Sequence, residues 1–314
     1  MIGPSSRILA STADAARGSA PPGEPRLVGL AYAAPSLLFF TVFGLYPFVN
    51  TVWLSFTRWN GVGAAVFIGP RNYADIVSDP GLYLAFVRSL ILVGFYSLIP
   101  VGIGLLLAAL LSRIPIRGIR AFRVLLFLPQ TVAMVVVAIA WSWIYSRNGA
   151  LNELLRLVGL DGLTRAWLGD FTWALPAVGL VGTWVNFGLC MVLFVAGVQK
   201  IPLDLYDAAR VDGAGPVSEF FAVTLPGLRN EILVALTITV IFALRNFDLV
   251  WVATRGGPGD ATAVPAVLLY QLGFEARRIG AGAAIAVILT AVILVVTIVI
   301  TRLGERGQES EAAG

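Results

Sequence analysis

Within an otherwise apolar run, Arg245-Asn246-Phe247-Asp248 sets a guanidinium, an amide, an aromatic ring and a carboxylate on consecutive residues. Counted back along a helix, Thr239, Phe242 and Asn246 recur at spacings of three and four and share one face. A hydroxyl, a ring and an amide on one face suit a ligand rich in hydroxyls that also has apolar surfaces. The other use for each polar side chain is a hydrogen bond between helices, worth about 0.6–2 kcal/mol in a membrane. Arg245 and Asp248 lie three apart, so a continuous helix would pair them. That pair reads either as a self-neutralising contact at a subunit interface or as the polar lining of a path. Other chemistries are excluded by what the sequence lacks. There is no histidine and a single cysteine, Cys190, so zinc-type ligand clusters, a Cys-His nucleophile and an internal disulfide are ruled out, and no metal site is expected. Lys200 is the sole lysine and no Gly-x-x-x-x-Gly-Lys-Ser/Thr run occurs, so hydrolysis of a nucleotide would fall to another chain.

A second group of residues lies in the polar stretch 199–231. Leu205-Tyr206-Asp207-Ala208-Ala209-Arg210-Val211-Asp212-Gly213-Ala214-Gly215-Pro216 is closed by Val223-Thr224-Leu225-Pro226. Asp207 and the two alanines begin a short helix, and Ala208 and Ala209 are small enough to let another surface approach the backbone. Gly213 can take the positive φ of a sharp turn. Leu225, before a proline, is biased away from helix, and Pro226 suits the first turn of the next one.

Long apolar elements must hold both groups. Of 314 residues, 58% are apolar and 13% charged, and the mean hydropathy is +0.86; soluble domains carry roughly 25% charged residues. The fold class is therefore an all-α polytopic membrane protein. The net charge of +4 is spread over loops with no basic stripe, which argues against nucleic acid. Apolar runs at about 27–56, 86–111, 124–145, 173–198, 232–254 and 279–301 give six transmembrane helices. Residues 1–26 read as a disordered tail without a signal-peptide core, and 302–314 as a charged tail. Pro35 and Pro47 should kink the first span, and Trp141, Trp143, Trp167 and Trp173 fall where interfacial anchors belong. Gly280, Gly282, Ala283 and Ala284 permit close helix packing in the sixth span. Arg113, Arg117, Arg120 and Arg123, with no acid among them, place their loop in the cytoplasm. Two spans separate it from 199–231, so that loop and both termini are expected on the cytoplasmic side.

Asp207-Ala208-Ala209, Gly213, Val223 and Leu225-Pro226, at this spacing, resemble the EAA loop of permease subunits of ATP-binding-cassette importers. Asp207 stands for the usual Glu and Val223 for the usual Ile. The resemblance extends over about residues 29–301 and takes in Phe67-Ile68-Gly69-Pro70-Arg71-Asn72-Tyr73 and Thr254-Arg255-Gly256-Gly257-Pro258. It is strongest with the carbohydrate-uptake branch, the type of the larger membrane subunit of the maltose importer. It implies the type I importer permease fold in a bacterial cytoplasmic (inner) membrane. It also implies a second, different permease subunit, two copies of a cytoplasmic ATPase that hold ATP and Mg, and an extracytoplasmic substrate-binding protein, with no cofactor in this chain. The solute would be a sugar or related polyol. Asp207, Ala208, Ala209, Asp212, Gly213, Leu225 and Pro226 would couple the chain to the ATPase. In relatives of the maltose importer, sugar contacts come from the fifth span and the one before the loop. The matching positions are Thr239, Phe242, Ala243 and Asn246, then Val185, Asn186 and Leu189. Ala243 lacks a side-chain amide and Leu189 replaces an aromatic ring, so a maltose-like geometry is not implied.

An integral membrane enzyme acting on a lipid-linked substrate would need general acids and bases at the interface, yet the only carboxylate within a span is Asp248, beside Arg245. A channel or proton-coupled carrier would want unpaired intramembrane carboxylates. A permease driven from outside the subunit is the reading these residues favour.

Overall fold

The structure, a computed structural model, describes residues 26–113 and 118–312, with side chains described for 32–111, 118–119 and 121–304. The expected N-terminal tail up to residue 25, residues 114–117 and the side chains of Arg113 and Arg120 lie outside the described residues. The chain divides into two compact units, residues 1–50 and 51–314. The first contains α1 (Arg26–Phe40), a π-helical turn (Thr41–Leu45) and the start of α2 (Tyr46–Ser55). Pro35 lies inside α1, whereas Pro47 follows the π turn, where a wider helical turn already shifts the hydrogen-bond ladder around its missing N–H.

The second unit opens with an antiparallel hairpin, β1 (Thr57–Arg58) against β2 (Val66–Phe67), in which Thr57 faces Phe67. α3 (Arg71–Val77) leads into α4 (Pro80–Val93), whose cap is Asp79: its carboxylate accepts from Gly81 N at 2.8 Å, with Pro80 in the first turn. A π turn (Gly94–Leu98) joins α4 to α5 (Ile99–Arg113). Then come α6 (Ile119–Thr131), α7 (Met134–Ile144), α8 (Ala150–Leu157) and α9 (Ala174–Val198). The polar stretch supplies α10 (Leu203–Val211), α11 (Pro216–Glu219), a π turn (Phe220–Thr224) and α12 (Leu225–Gly227). α13 (Arg229–Leu244), α14 (Asp248–Ala253), α15 (Pro265–Tyr270) and α16 (Ile279–Ala312) complete the chain.

Among the described residues, four helices are long and apolar enough to cross a membrane: Tyr32–Ser55, Pro80–Leu111, Ala174–Val198 and Ile279–Gly304. Two bent pairs bring the number to six if each counts as one span: Ala121–Thr131 with Met134–Ile144, bent by 96°, and Pro216–Gly227 with Arg229–Leu244, bent by 68°. The third span therefore departs from the continuous helix that hydropathy suggests; the 68° bend lies at Leu228, before the expected start of the fifth span, which has a separate break of its own. In the third, Pro129 withholds a donor from the ladder, Val132 turns extended at ψ 135°, and its N–H returns to the Pro129 carbonyl at 3.3 Å. In the fifth, the helix stops at Leu244 and resumes at Asp248, and Asn246 N closes a tight turn on Ala243 O at 3.3 Å. The last helix also outruns its expected end: α16 continues to Ala312 through residues such as Leu303, Glu305 and Arg306 that favour helix.

α9 is the central rod. Its upper half packs Val178, Val181 and Val185 with Leu92, Tyr96, Val137, Leu249 and Val250, and its lower half packs Cys190, Met191 and Phe194 with Val101, Ala108, Leu228 and Ala235. Close approach sets this arrangement. A Cβ on Gly182 would fall 2.0 Å from the Tyr96 ring, so glycine there is what lets the ring lie on the α9 backbone. A third cluster joins Ile76 and Leu82 to Ala281, Ala284 and Ile285 of α16. Beside it, Asn72 explains its own place in the Phe67-to-Tyr73 motif. Its buried amide donates to both Ser55 O and Thr57 O at 2.8 Å, while Tyr73 OH meets Ser55 Oγ at 2.6 Å.

Candidate functional site

The two interruptions meet. Gln130, Val132 and Met134 from the bend in the third span face Phe242, Arg245, Asn246, Phe247 and Asp248 from the break in the fifth, around a cavity of about 230 Å³. Tyr96, Val185 and Asn186 complete its wall. Non-helical backbone at membrane depth is tolerated where it lines such a cavity, because its freed amides need partners that lipid does not supply.

Asn246 is buried and donates its Nδ2 to Tyr96 OH at 2.9 Å. Asn186 donates Nδ2 to Gly182 O at 2.8 Å, one turn back on α9. The acceptor ends differ: Asn186 Oδ1 and Gln130 Oε1 are both buried and have no hydrogen-bond partner among the described residues. A buried acceptor left without a donor costs about 1–3 kcal/mol, so two of them on one cavity wall mark where an incoming donor would be stabilised. Phe242, 40% exposed, and Phe247 add apolar faces; Phe247 stacks on Trp251 with ring centroids 5.7 Å apart. A cavity with free amide acceptors and ring faces fits a hydroxyl-bearing solute.

The expected residues separate in space. Asn246, Phe242 and Asn186 converge on the cavity, whereas Thr239 does not line it. Its hydroxyl is fully buried 2.7 Å from both Ser97 Oγ and Ala235 O, tying α13 to the π turn before α5. The pairing of Arg245 with Asp248 also needs correction. The helix that would set them one turn apart ends at Leu244; both side chains line the cavity, and among the described residues no ion pair joins them. Gln130 was missed by sequence reasoning. Its one signal was an amide directly after Pro129 in an apolar run, and its free oxygen has meaning only once α9 brings Asn186 beside it.

The polar stretch 199–231 forms a second site. α10 starts at Leu203, one turn before the expected Asp207, because Pro202 supplies the non-helical residue ahead of it. Leu203, Asp207 and Val211 share one face at spacings of four. Leu203 is 75% and Val211 87% exposed, which leaves an apolar and acidic stripe uncovered. Gly213 ends the helix at φ +83°, with Gly213 N bonded to Arg210 O at 3.0 Å and Ala214 N to Ala209 O at 2.9 Å. This is the paired-bond C-terminal turn that requires a left-handed residue. Two side-chain ties hold the helix down. Tyr206 OH lies 3.1 Å from Thr224 Oγ1, and Arg210 reaches Asp207 at 3.1 Å and the buried Glu219 at 3.3 Å. Ala208 and Asp212 are exposed, Ala209 and Leu225 half-buried, and Pro226 opens α12 at the surface.

Residues 100–308 match the family described as "Binding-protein-dependent transport system inner membrane component". Among curated relatives, the chain is 34% identical over 289 residues to YurN of Bacillus subtilis, a probable ABC transporter permease protein, covering 91% of this chain and 99% of the relative. It is 33% identical over 278 residues to NgcF of Streptomyces coelicolor, a diacetylchitobiose uptake system permease protein, covering 85% of this chain and 79% of the relative. Among solved structures, a bacterial ABC transporter involved in the import of the acidic polysaccharide alginate superposes with a TM-score of 0.77 at 22% identity, over 89% of this chain and 96% of that one. This last likeness is one of fold.

Proposed function

Because the chain belongs to the family of binding-protein-dependent transport system inner membrane components, we propose that it forms one half of a translocation path for a sugar or polyol. It is a multi-pass permease of an ABC importer and not an enzyme; the reading as an enzyme on lipid-linked substrates finds no support. The relative that serves diacetylchitobiose uptake favours a carbohydrate solute. In the proposed complex the other parts are a second permease subunit, two copies of an ATPase that carries the ATP and Mg, and an extracytoplasmic binding protein that delivers the solute. Both termini and the 199–231 loop lie in the cytoplasm of the bacterial inner membrane.

The observation that carries this reading is the meeting of two interrupted spans at a cavity with two unpartnered amide oxygens. Closure of the ATPase dimer pushes on the Leu203, Asp207 and Val211 stripe of α10. The ties at Tyr206 and Arg210 pass that push to the π turn and α12, and so to α13, whose far end forms the cavity wall. Asn186, Gln130 and Asn246 hold hydroxyls while Phe242 and Phe247 cover an apolar face. Cells deleted for this subunit, tested with a panel of labelled sugars and polyols, should lose uptake of one group of related carbohydrates and regain it on complementation. Unchanged uptake across the whole panel would remove the carbohydrate assignment.

A further inference from the structure

At the end of the spans opposite the coupling loop, a bowl of about 580 Å³ opens between β1, α3 and the start of α16. Arg58, Arg71, Arg277 and Arg278 line it, against one carboxylate, Asp75. Among the described residues no ion pair joins any of these four arginines to a carboxylate. The bowl has a rigid floor. Ile279 N donates to Trp59 O at 3.0 Å, and the Asn72 amide bridges Ser55 O and Thr57 O. Gly280 lies so near Thr57 that a Cβ there would stand 1.9 Å from the carbonyl oxygen. Arg277 is held at φ +51°, a backbone conformation that non-glycine residues seldom adopt.

We infer that this bowl binds the phosphate of an anionic phospholipid headgroup. Guanidinium forks match phosphate oxygens in pairs, and arginines from three separate segments converge where two spans leave the hydrocarbon. The level in the membrane is marked independently. Trp53 and Phe67, both more than half exposed, stack at 5.7 Å beside the same hairpin, as interfacial aromatics do. The arginines stand around one recess of about 580 Å³, which has room for a phospholipid headgroup. A free inorganic anion shares the same chemistry; the bowl's place at the interface favours the lipid. The inference rests on the chain's place in the membrane and is independent of which solute it carries.

The test uses the full-length chain, co-purified with its partner subunits, in nanodiscs of equal phosphatidylglycerol and phosphatidylcholine, with retained lipid read by native mass spectrometry. The wild type should retain phosphatidylglycerol in preference. The double variants R277Q/R278Q and R58Q/R71Q should each lose it roughly tenfold or more, while R147Q, outside the bowl, leaves it unchanged. Equal retention of the two lipids by the wild type overturns the proposal without reference to any variant's folding. Retention of labelled inorganic phosphate with no lipid preference assigns the bowl to a soluble anion and overturns it too. Variants that keep the lipid but lose stimulation of ATP hydrolysis by the binding protein would give the bowl to a protein carboxylate. Solute uptake is not the readout, so this proposal and the transport reading fail separately.

Discussion

Two amides on one cavity wall are employed in opposite ways, and their variants should differ accordingly. Asn246 is committed to Tyr96 OH, so Asn246→Ala leaves a buried hydroxyl without its donor and should cost about 1–3 kcal/mol of stability as well as altering solute preference. Gln130 Oε1 has no partner among the described residues. Gln130→Ala removes that unpaired oxygen and should therefore leave thermal stability unchanged or raise it by up to about 1–3 kcal/mol, yet raise the apparent KM for uptake roughly three- to tenfold, the worth of one neutral hydrogen bond. Unfolding by melting curve and uptake by filter assay separate the two effects; an unchanged KM would take Gln130 off the path. Phe242→Ala should shift preference among solutes with little effect on assembly. Thr239→Val gives the contrast: it removes the contact to Ser97 at a cost of about 1 kcal/mol and should leave preference alone. Asn246 was legible in the sequence because it interrupts an apolar run. The burial of Thr239 was not, because its distant partner Ser97 lies on another span.

For α10, the proposed coupling helix, the turn at Gly213 is the sensitive point. A side chain there must adopt φ +83°, which costs about 1–2 kcal/mol. Gly213→Val should insert normally and still hydrolyse ATP in proteoliposomes, with solute carried per ATP falling several-fold. Undiminished coupling would remove the docking role from this helix. Arg210→Ala should act in the same direction, because it cuts the tie to Glu219 that holds the helix down and also frees Asp207 of the exposed stripe. Here the sequence was most informative, since the glycine, the alanines and the proline sit at spacings that only local geometry explains. The break in the third span was illegible for a physical reason. Hydropathy averaged over a window changes little across residues 131–134, whereas the backbone changes direction there by 96°; the polar run at 245–248 did mark the other break, though not that the helix stops there.

At the scale of the molecule, the sole cysteine makes topology measurable. Cys190 is fully buried in the lower half of the core, so the unmodified chain should stay silent to membrane-impermeant thiol reagents. Single cysteines at the exposed positions Asp212 and Asn60 should then label from opposite faces, Asp212 only from the cytoplasmic side. Labelling of both from the same face would invalidate the six-crossing path and the lever with it. The apolar runs revealed a multi-pass helical architecture because lipid demands long hydrophobic stretches. What they hid is how the runs are divided, and that division decides where charge can reside. Arg245 follows the carbonyl-bearing end of α13 and Asp248 opens the amide-bearing end of α14, so each side chain meets a fractional backbone charge of opposite sign, worth about 0.3–1 kcal/mol. That offsets part of the cost of keeping the two ions apart. On the proposed path, an uncharged passenger would then cross between the two signs without prising apart a locked pair.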